Sequence, residues 1–225
     1  MEKKMVALVA AKGSSERVPR KNIRPFHDTN FLELKLNQLK AVKNLNKIIV
    51  SSEDEKVLNI ARTMDVDIHV RNPKYSTRDI SMSKVYSYLA SEMKEDIIIW
   101  VPVTNPLAES DVYEEAIKVY NSEVYGSTKY DCLLSVYEVK DYLFYNGKPV
   151  NFKPNPWARS QDLNGLCAMS LVVNILKRED MIKWGSLVGN NPYFFYLDPV
   201  ISTDVDFQWN FDFCEMVYKK RLNKK

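Results

Sequence analysis

The feature that most constrains this chain is an alternation: short apolar runs of strand length, each followed by a stretch with helical periodicity. Met5-Val-Ala-Leu-Val-Ala-Ala11 is apolar throughout, the pattern of a strand buried on both faces, and it runs into the loop Lys12-Gly13-Ser14-Ser15. Residues 30–43 carry Phe31, Leu34, Leu36 and Leu39 as the apolar side of a helix, and Lys47-Ile-Ile-Val50 is a second strand. Ser51-Ser-Glu-Asp-Glu55 then puts hydroxyls and acids at the positive end of the next helix. A strand at 66–70, a helix at 81–94, a strand at 96–103 and a helix at 111–121 continue the series. This order predicts a mostly parallel sheet covered on both faces, a three-layer α/β/α sandwich. Ligands of such sheets sit at the carboxyl ends of the strands. Three polar segments fall there: 12–22, 51–54 and 104–106.

After Tyr130 the pattern changes. Leu133-Leu-Ser-Val-Tyr-Glu-Val139 alternates like a strand, and Tyr142-Leu-Phe-Tyr145 and Lys148-Pro-Val-Asn-Phe152 flank Asn146-Gly147, a strong hairpin signal. Residues 133–163 are therefore expected to form an inserted β-hairpin element within a single domain spanning 1–225. The chain is expected to rejoin the sheet through 167–173 and to close with a helix at 210–222. A length of 225 residues suits one such domain.

The formal charge of +3 is too small to argue for nucleic acid or an anionic membrane as partner. Its distribution matters more: Lys12, Arg17, Arg20, Lys21 and Arg24 crowd one segment, against a single acid, Glu16. The apolar run at 6–11 is shorter than the roughly 7–15 residues of a signal peptide core, and no run reaches the ~20 residues of a membrane span. Three widely spaced cysteines without a CxxC pair suit a reducing compartment. The expected location is cytoplasmic.

Three constellations carry candidate chemistry. Residues 11–22 combine small residues and hydroxyls, which let backbone N–H groups approach phosphate oxygens, with cations that neutralise them; neither GxxxxGK[ST] nor GxGxxG is present. Ser202-Thr-Asp204-Val-Asp206 follows the apolar Tyr193-Phe-Phe-Tyr196. On a strand, Asp204 and Asp206 share a face, and such a carboxylate pair holds magnesium beside substrate phosphates. Arg159, in Ala158-Arg-Ser-Gln-Asp162, can grip a carboxylate with two parallel bonds. As residue types alone, these serve equally as a solvated basic loop, an acidic turn and an exposed arginine. His69 reads as a strand surface residue, and Trp100, Trp157, Trp184 and Trp209 as core.

The loop at 11–22 resembles the signature of the acylneuraminate cytidylyltransferase family, approximately A-R-x-x-S-K-x-[IL]-P-x-K-N. Ile48-Ile-Val-Ser-Ser-Glu-Asp54, Val101-Pro-Val-Thr-Asn-Pro-Leu107, Arg159-Ser-Gln161 and Thr203-Asp-Val-Asp206 resemble its IVSTDD, LQPTSPL, RxQ and IDID segments, in the family's order. The resemblance implies a Rossmann-like domain that binds CTP, activates an acidic sugar as its CMP derivative and dimerises through the inserted hairpin. It implies Lys21, Lys12 and Arg17 as the catalytic cations, and Gly13, Ser14, Ser15 and Asn22 as loop contacts to the nucleotide. Arg71 and Ser81 would hold cytosine. Thr104, Asn105, Arg159 and Gln161 would line the acceptor pocket, and Asp204 and Asp206 would bind Mg2+.

The chain departs from that pattern at Lys12, where the family usually has arginine, and at Glu16, where it has lysine. Pro102, Asn105 and Ala108 replace glutamine, serine and arginine on the acceptor side. These losses of polar groups predict poor activity with N-acetylneuraminate and better activity with a less hydroxylated relative of legionaminic or pseudaminic type. A cytidylyltransferase for another acceptor, such as a phosphonate, or an inactive nucleotide-binding homologue are the alternatives.

Overall fold

The computed structural model describes residues 4–15 and 17–223. Residues 1–3, Glu16 and residues 224–225 lie outside the described residues, and with them the expectation attached to Glu16. In chain order the elements are β1 (Met5–Ala10), β2 (Pro25–Phe26), β3 (Thr29–Asn30), α1 (Phe31–Lys40), β4 (Ile48–Ser52), α2 (Glu55–Thr63), β5 (Asp67–Val70), α3 (Met82–Ser91) and β6 (Ile97–Trp100). There follow α4 (Ser110–Val119), β7 (Cys132–Glu138), β8 (Phe144–Tyr145), β9 (Lys148–Pro149), β10 (Cys167–Lys177), α5 (Arg178–Trp184), β11 (Pro192–Tyr196) and α6 (Gln208–Leu222).

Seven strands form one sheet in the order β11-β7-β10-β6-β1-β4-β5. All run parallel except β10, which is antiparallel to both of its neighbours. Alternation along the strands builds the three layers. On one face Ala7, Val9, Ile97 and Ile99 pack with Phe31 and Leu36 of α1, Val57 of α2, Tyr113 of α4 and Phe211 of α6. On the other, Val6, Leu8, Ile98 and Trp100 pack with Val85 and Leu89 of α3 and Met181 of α5. From β1 the chain steps to β4 and β5 on one side, then returns to β6 on the other. The strand order thus reverses between β1 and β6, and the loops leaving those two strands flank the crevice where ligands of such sheets bind.

Among the described residues, no helix is long and apolar enough to cross a membrane. Three parts differ from the sequence expectation. The strand expected at the start of the 133–163 insertion is β7 of the main sheet; its Cys132-Leu-Leu-Ser-Val run is buried on both faces, which only a sheet interior provides. The excursion outside the sheet begins after Glu138 and contains the β8–β9 hairpin. There Asn146 and Gly147 both take positive φ, 49° and 74°, as a two-residue turn of this twist requires. Trp157 and Trp209 are exposed rather than core. Finally, α5 had no expectation at all, being a seven-residue helix without a side-chain cap at its start.

Candidate active site

β1 delivers the chain into the basic loop at the crevice. Gly13 N–H donates to Glu53 Oε1 at 3.0 Å, tying the loop to the end of β4. A Cβ at Gly13 would stand 2.2 Å from Asp54 Oδ2 and 2.3 Å from Asp54 Cβ, so only glycine lets the loop pass. Asp54 is itself fixed, because its Oδ1 accepts the N–H groups of Lys56 (2.7 Å) and Val57 (3.3 Å) and caps α2. Asn22 closes the other end: its Nδ2 donates to Lys12 O at 2.8 Å, and its own carbonyl accepts from Leu32 N–H at 2.9 Å. Lys12 and Ser15 are half-buried, while Ser14 is exposed.

The carboxylate pair lies across the crevice from this loop, but not on a strand. Residues 203–206 run without regular structure between β11 and α6, held to the β6 loop by Val205 N–H donating to Thr104 O at 2.9 Å. Val205 is buried; the Asp206 carboxylate faces the loop, and Asp204 lies near enough to Lys21 and Arg17 to feel their charge. Arg17 Nη2 and Lys21 Nζ donate to the same Asp206 Oδ1, at 2.8 and 3.2 Å, and Lys21 also donates to Val205 O. Lys21 is sunk in the site, with 13% of its side chain exposed, whereas Arg17 is 56% exposed and lies over the Phe207 ring.

Asp204 is deeper. Burial pushes its carboxyl above the usual range, and the charge of Asp206 adds to this against the pull of a Thr104 hydrogen bond, Lys21 and Arg17. Its Oδ1 is buried with no hydrogen-bond partner. A buried carboxylate oxygen without a donor, beside a second carboxylate, is a fitting place for a hard divalent cation. Among the described residues no cluster of three or more His, Cys, Asp or Glu side chains forms a metal cage. Two carboxylates completed by substrate phosphates is the arrangement that magnesium favours.

A third group gathers at the ends of β4 and β5. Arg71 is 2% exposed, with Nε donating to Ser51 Oγ (3.2 Å) and Nη2 to Ser51 O (2.6 Å). His69 Nδ1 lies 2.9 Å from the same Ser51 hydroxyl, so it faces this network rather than solvent. Burial lowers the His69 pKa, opposed by Glu92 and reinforced by Arg71. Glu53 joins the two parts of the site: Oε1 accepts from Gly13 N–H, and Oε2 from Ser76 Oγ at 2.7 Å. Sequence reasoning passed over Glu53, although its place beside Asp54 at a strand end was the available signal. Ser81 is the N-cap of α3, where its hydroxyl accepts from Lys84 N–H at 3.4 Å.

The residues expected in the acceptor pocket divide. Thr104 reaches the site through its carbonyl, which accepts from Val205 N–H. Asn105 does not line a pocket: it is fully buried, and its Nδ2 points at Ser202 O (3.5 Å) and Thr203 O (3.2 Å). It therefore acts on the chain that carries the aspartates, a role that residue type alone does not reveal. Arg159 and Gln161 are exposed at the end of the excursion. The Arg159 fork is closed on Asp162, Nε to Oδ2 at 2.7 Å and Nη2 to Oδ1 at 3.1 Å.

The family profile described as "Cytidylyltransferase" matches residues 6–180. The post-translational flagellin modification protein B of Campylobacter coli is 23% identical over 96% of both chains. N-acylneuraminate cytidylyltransferase A of Danio rerio is 22% identical over 89% of this chain, which spans 47% of that protein's length. A solved CMP-2-keto-3-deoxy-manno-octonic acid synthetase complexed with CTP superposes with a TM-score of 0.70 at 10% identity, over 97% of this chain and 99% of that one, a likeness of fold.

Proposed function

The chain belongs to the cytidylyltransferase family, a nucleotidyltransferase, and from that premise we propose that it transfers CMP from CTP to an acidic sugar with release of pyrophosphate. The acceptor's anomeric hydroxyl oxygen bonds to the α-phosphorus in line as its proton passes to solvent, and the bond from that phosphorus to the α,β-bridging oxygen breaks, releasing pyrophosphate. The observation that carries the reading is the convergence of Lys21 and Arg17 on Asp206, beside the unpartnered oxygen of Asp204. In this reading Asp204 and Asp206 hold Mg2+, which when bound supplies positive charge to the phosphates. Lys21 and Arg17, with Lys12 and the backbone of Ser14 and Ser15 beyond the Gly13 turn, then face the triphosphate and stabilise charge on the departing pyrophosphate. Asn22 keeps the loop closed, Arg71 and the α3 start at Ser81 bound the base, and Thr104 lies on the acceptor side. Arg159 takes the sugar carboxylate by leaving Asp162, an exchange of one carboxylate for another. The protein acts in the cytoplasm as a homodimer through the exposed Phe144, Tyr145 and Trp157 of the excursion.

The names of the similar proteins support an acidic sugar as acceptor. The test is pyrophosphate release from CTP and magnesium across a panel of acidic nonulosonic sugars, with thermal shift against CTP, UTP, ATP and GTP. Turnover with at least one such sugar and stabilisation by CTP are expected. Stabilisation by another nucleotide but not by CTP would overturn the assignment, and a clear preference for N-acetylneuraminate would overturn the expectation of a less hydroxylated acceptor.

A further inference from the structure

The core-facing side of α1 contains a lysine. Lys35 lies one turn from Phe31 and one from Leu39, is fully buried, and has no carboxylate partner among its bonds. Its ammonium is surrounded instead by neutral oxygens: Asn105 O at 2.9 Å, Ala108 O at 3.5 Å and the Tyr113 hydroxyl. A buried cation is costly to keep, and a leucine would suit this helix face better. The cation therefore has to be explained by what it holds.

What it holds is the loop after β6. Beyond Val101, whose N–H donates to Leu8 O, residues 102–108 have no strand or helix to fix them. Side chains capture their carbonyls one by one: Lys35 those of Asn105 and Ala108, Gln38 that of Pro106 (2.8 Å) and Arg221 that of Leu107 (2.7 Å). From this fixed turn, Thr104 O receives Val205 N–H, and the Asn105 amide reaches Ser202 O and Thr203 O. The path from Lys35 to the segment that carries the aspartates thus alternates hydrogen bonds with the covalent frame of Thr104 and Asn105: ammonium to Asn105 carbonyl, then Asn105 amide and Thr104 carbonyl to the backbone of Ser202, Thr203 and Val205.

We propose that Lys35 is a positioning residue of this site: by fixing the Asn105–Ala108 turn it sets the segment that carries Asp204 and Asp206, while touching neither substrate nor metal. The inference rests on the magnesium-binding reading of those aspartates for its kinetic arm, but not for its structural arm.

The test replaces Lys35 with methionine, which fills the same space without donors, and compares it with Leu39→Ala, a core loss on the same helix but off this path. In the protein without nucleotide or metal, amide exchange at Val205 should accelerate about tenfold relative to the Ala7 amide of β1 in Lys35→Met, and in parallel with Ala7 in Leu39→Ala. The magnesium concentration giving half-maximal pyrophosphate release should rise about tenfold in Lys35→Met, with the CTP KM at saturating magnesium changed less than twofold. If Lys35→Met does not fold, Tyr113→Phe, which removes one of the ammonium's acceptors, should move both readouts in the same direction by a smaller factor. Parallel exchange at Val205 and Ala7 in the position-35 or position-113 variant overturns the proposal; accelerated exchange at Val205 with an unchanged magnesium requirement supports it and overturns the magnesium-binding reading of the aspartates instead. Absence of activity in the wild type would overturn the functional reading and leave exchange to decide the role of Lys35.

Discussion

Replacing Gly13 with alanine puts a methyl group where Asp54 already stands. The new Cβ would lie 2.3 Å from Asp54 Cβ, against the roughly 3.5–4.0 Å at which carbon atoms pack. One of the two must retreat by more than about 1 Å. Asp54 cannot retreat without loosening the α2 cap, a loss of about 0.5–2 kcal/mol. The loop cannot retreat without stretching the 3.0 Å bond from Gly13 N–H to Glu53. Forced overpacking of this kind costs about 1–3 kcal/mol. Taking about 2 kcal/mol, Tm should fall by about 4–8 °C for a chain of this length. Because a misplacement of about 1 Å can cost about 100-fold in rate, kcat/KM for CTP should fall by a similar factor, measured by continuous pyrophosphate release. Asp54→Gly removes the obstructing Cβ and keeps a tolerable cap, so the double variant should recover most of the loss. A wild-type Tm and rate in Gly13→Ala, or strictly additive effects in the double variant, would refute the clash as the reason for the glycine.

Lys21→Ala and Asp206→Asn should each lower kcat by about 100- to 1000-fold, the scale of losing one charge-stabilising group, with unchanged circular dichroism; a wild-type rate at saturating magnesium removes that residue from the mechanism. Burial pushes the Lys35 ammonium down from 10.5 to about 7, so between those pH values the unfolded chain binds the proton more tightly, and stability should rise with pH. The rise is on the order of 5 kcal/mol; Lys35→Met should lack it, and parallel stability–pH curves for the two proteins by urea unfolding would contradict this. Trp157→Ser with Phe144→Ser should convert a dimer into a monomer in sedimentation velocity, since these rings are 62% exposed; a wild-type monomer at micromolar concentration would rule out this surface as the interface.

Much of the molecule was readable from local pattern. The strand after which the basic loop opens, the βαβα order and the Asn146-Gly147 turn depend on periodicity and on backbone preferences that neighbouring residues set among themselves. The polar segments at strand ends were readable for the same reason, since a parallel sheet has a ligand-binding end whatever its sequence. Membership in a sheet was less readable. Residues 133–138 alternate well enough to belong to a hairpin, yet they form an interior strand, because β10 returns antiparallel beside them after the excursion. Which strand lies beside which is decided by contacts across 30 or more residues, and a short window of sequence does not contain them.

The same division runs through the site. The identity of the cations and carboxylates was determined by the sequence: Lys21, Arg17, Asp204 and Asp206 are the same ionisable side chains in any conformation. Their convergence was decided only by tertiary structure, which brings Arg17 and Asp206, 189 positions apart, to 2.8 Å. Asn105 shows the converse. As a residue type it could bind a sugar; folding buries it completely and turns its amide to the backbone of Ser202 and Thr203. Lys35 drew no expectation from the sequence, because the oxygens that accept from it lie on the loop after β6 and on α4. The physical reason is one of range. Charge, polarity and backbone preference belong to a residue and its neighbours in the chain, whereas hydrogen bonds and exclusion from water belong to whatever packing places within about 3 Å.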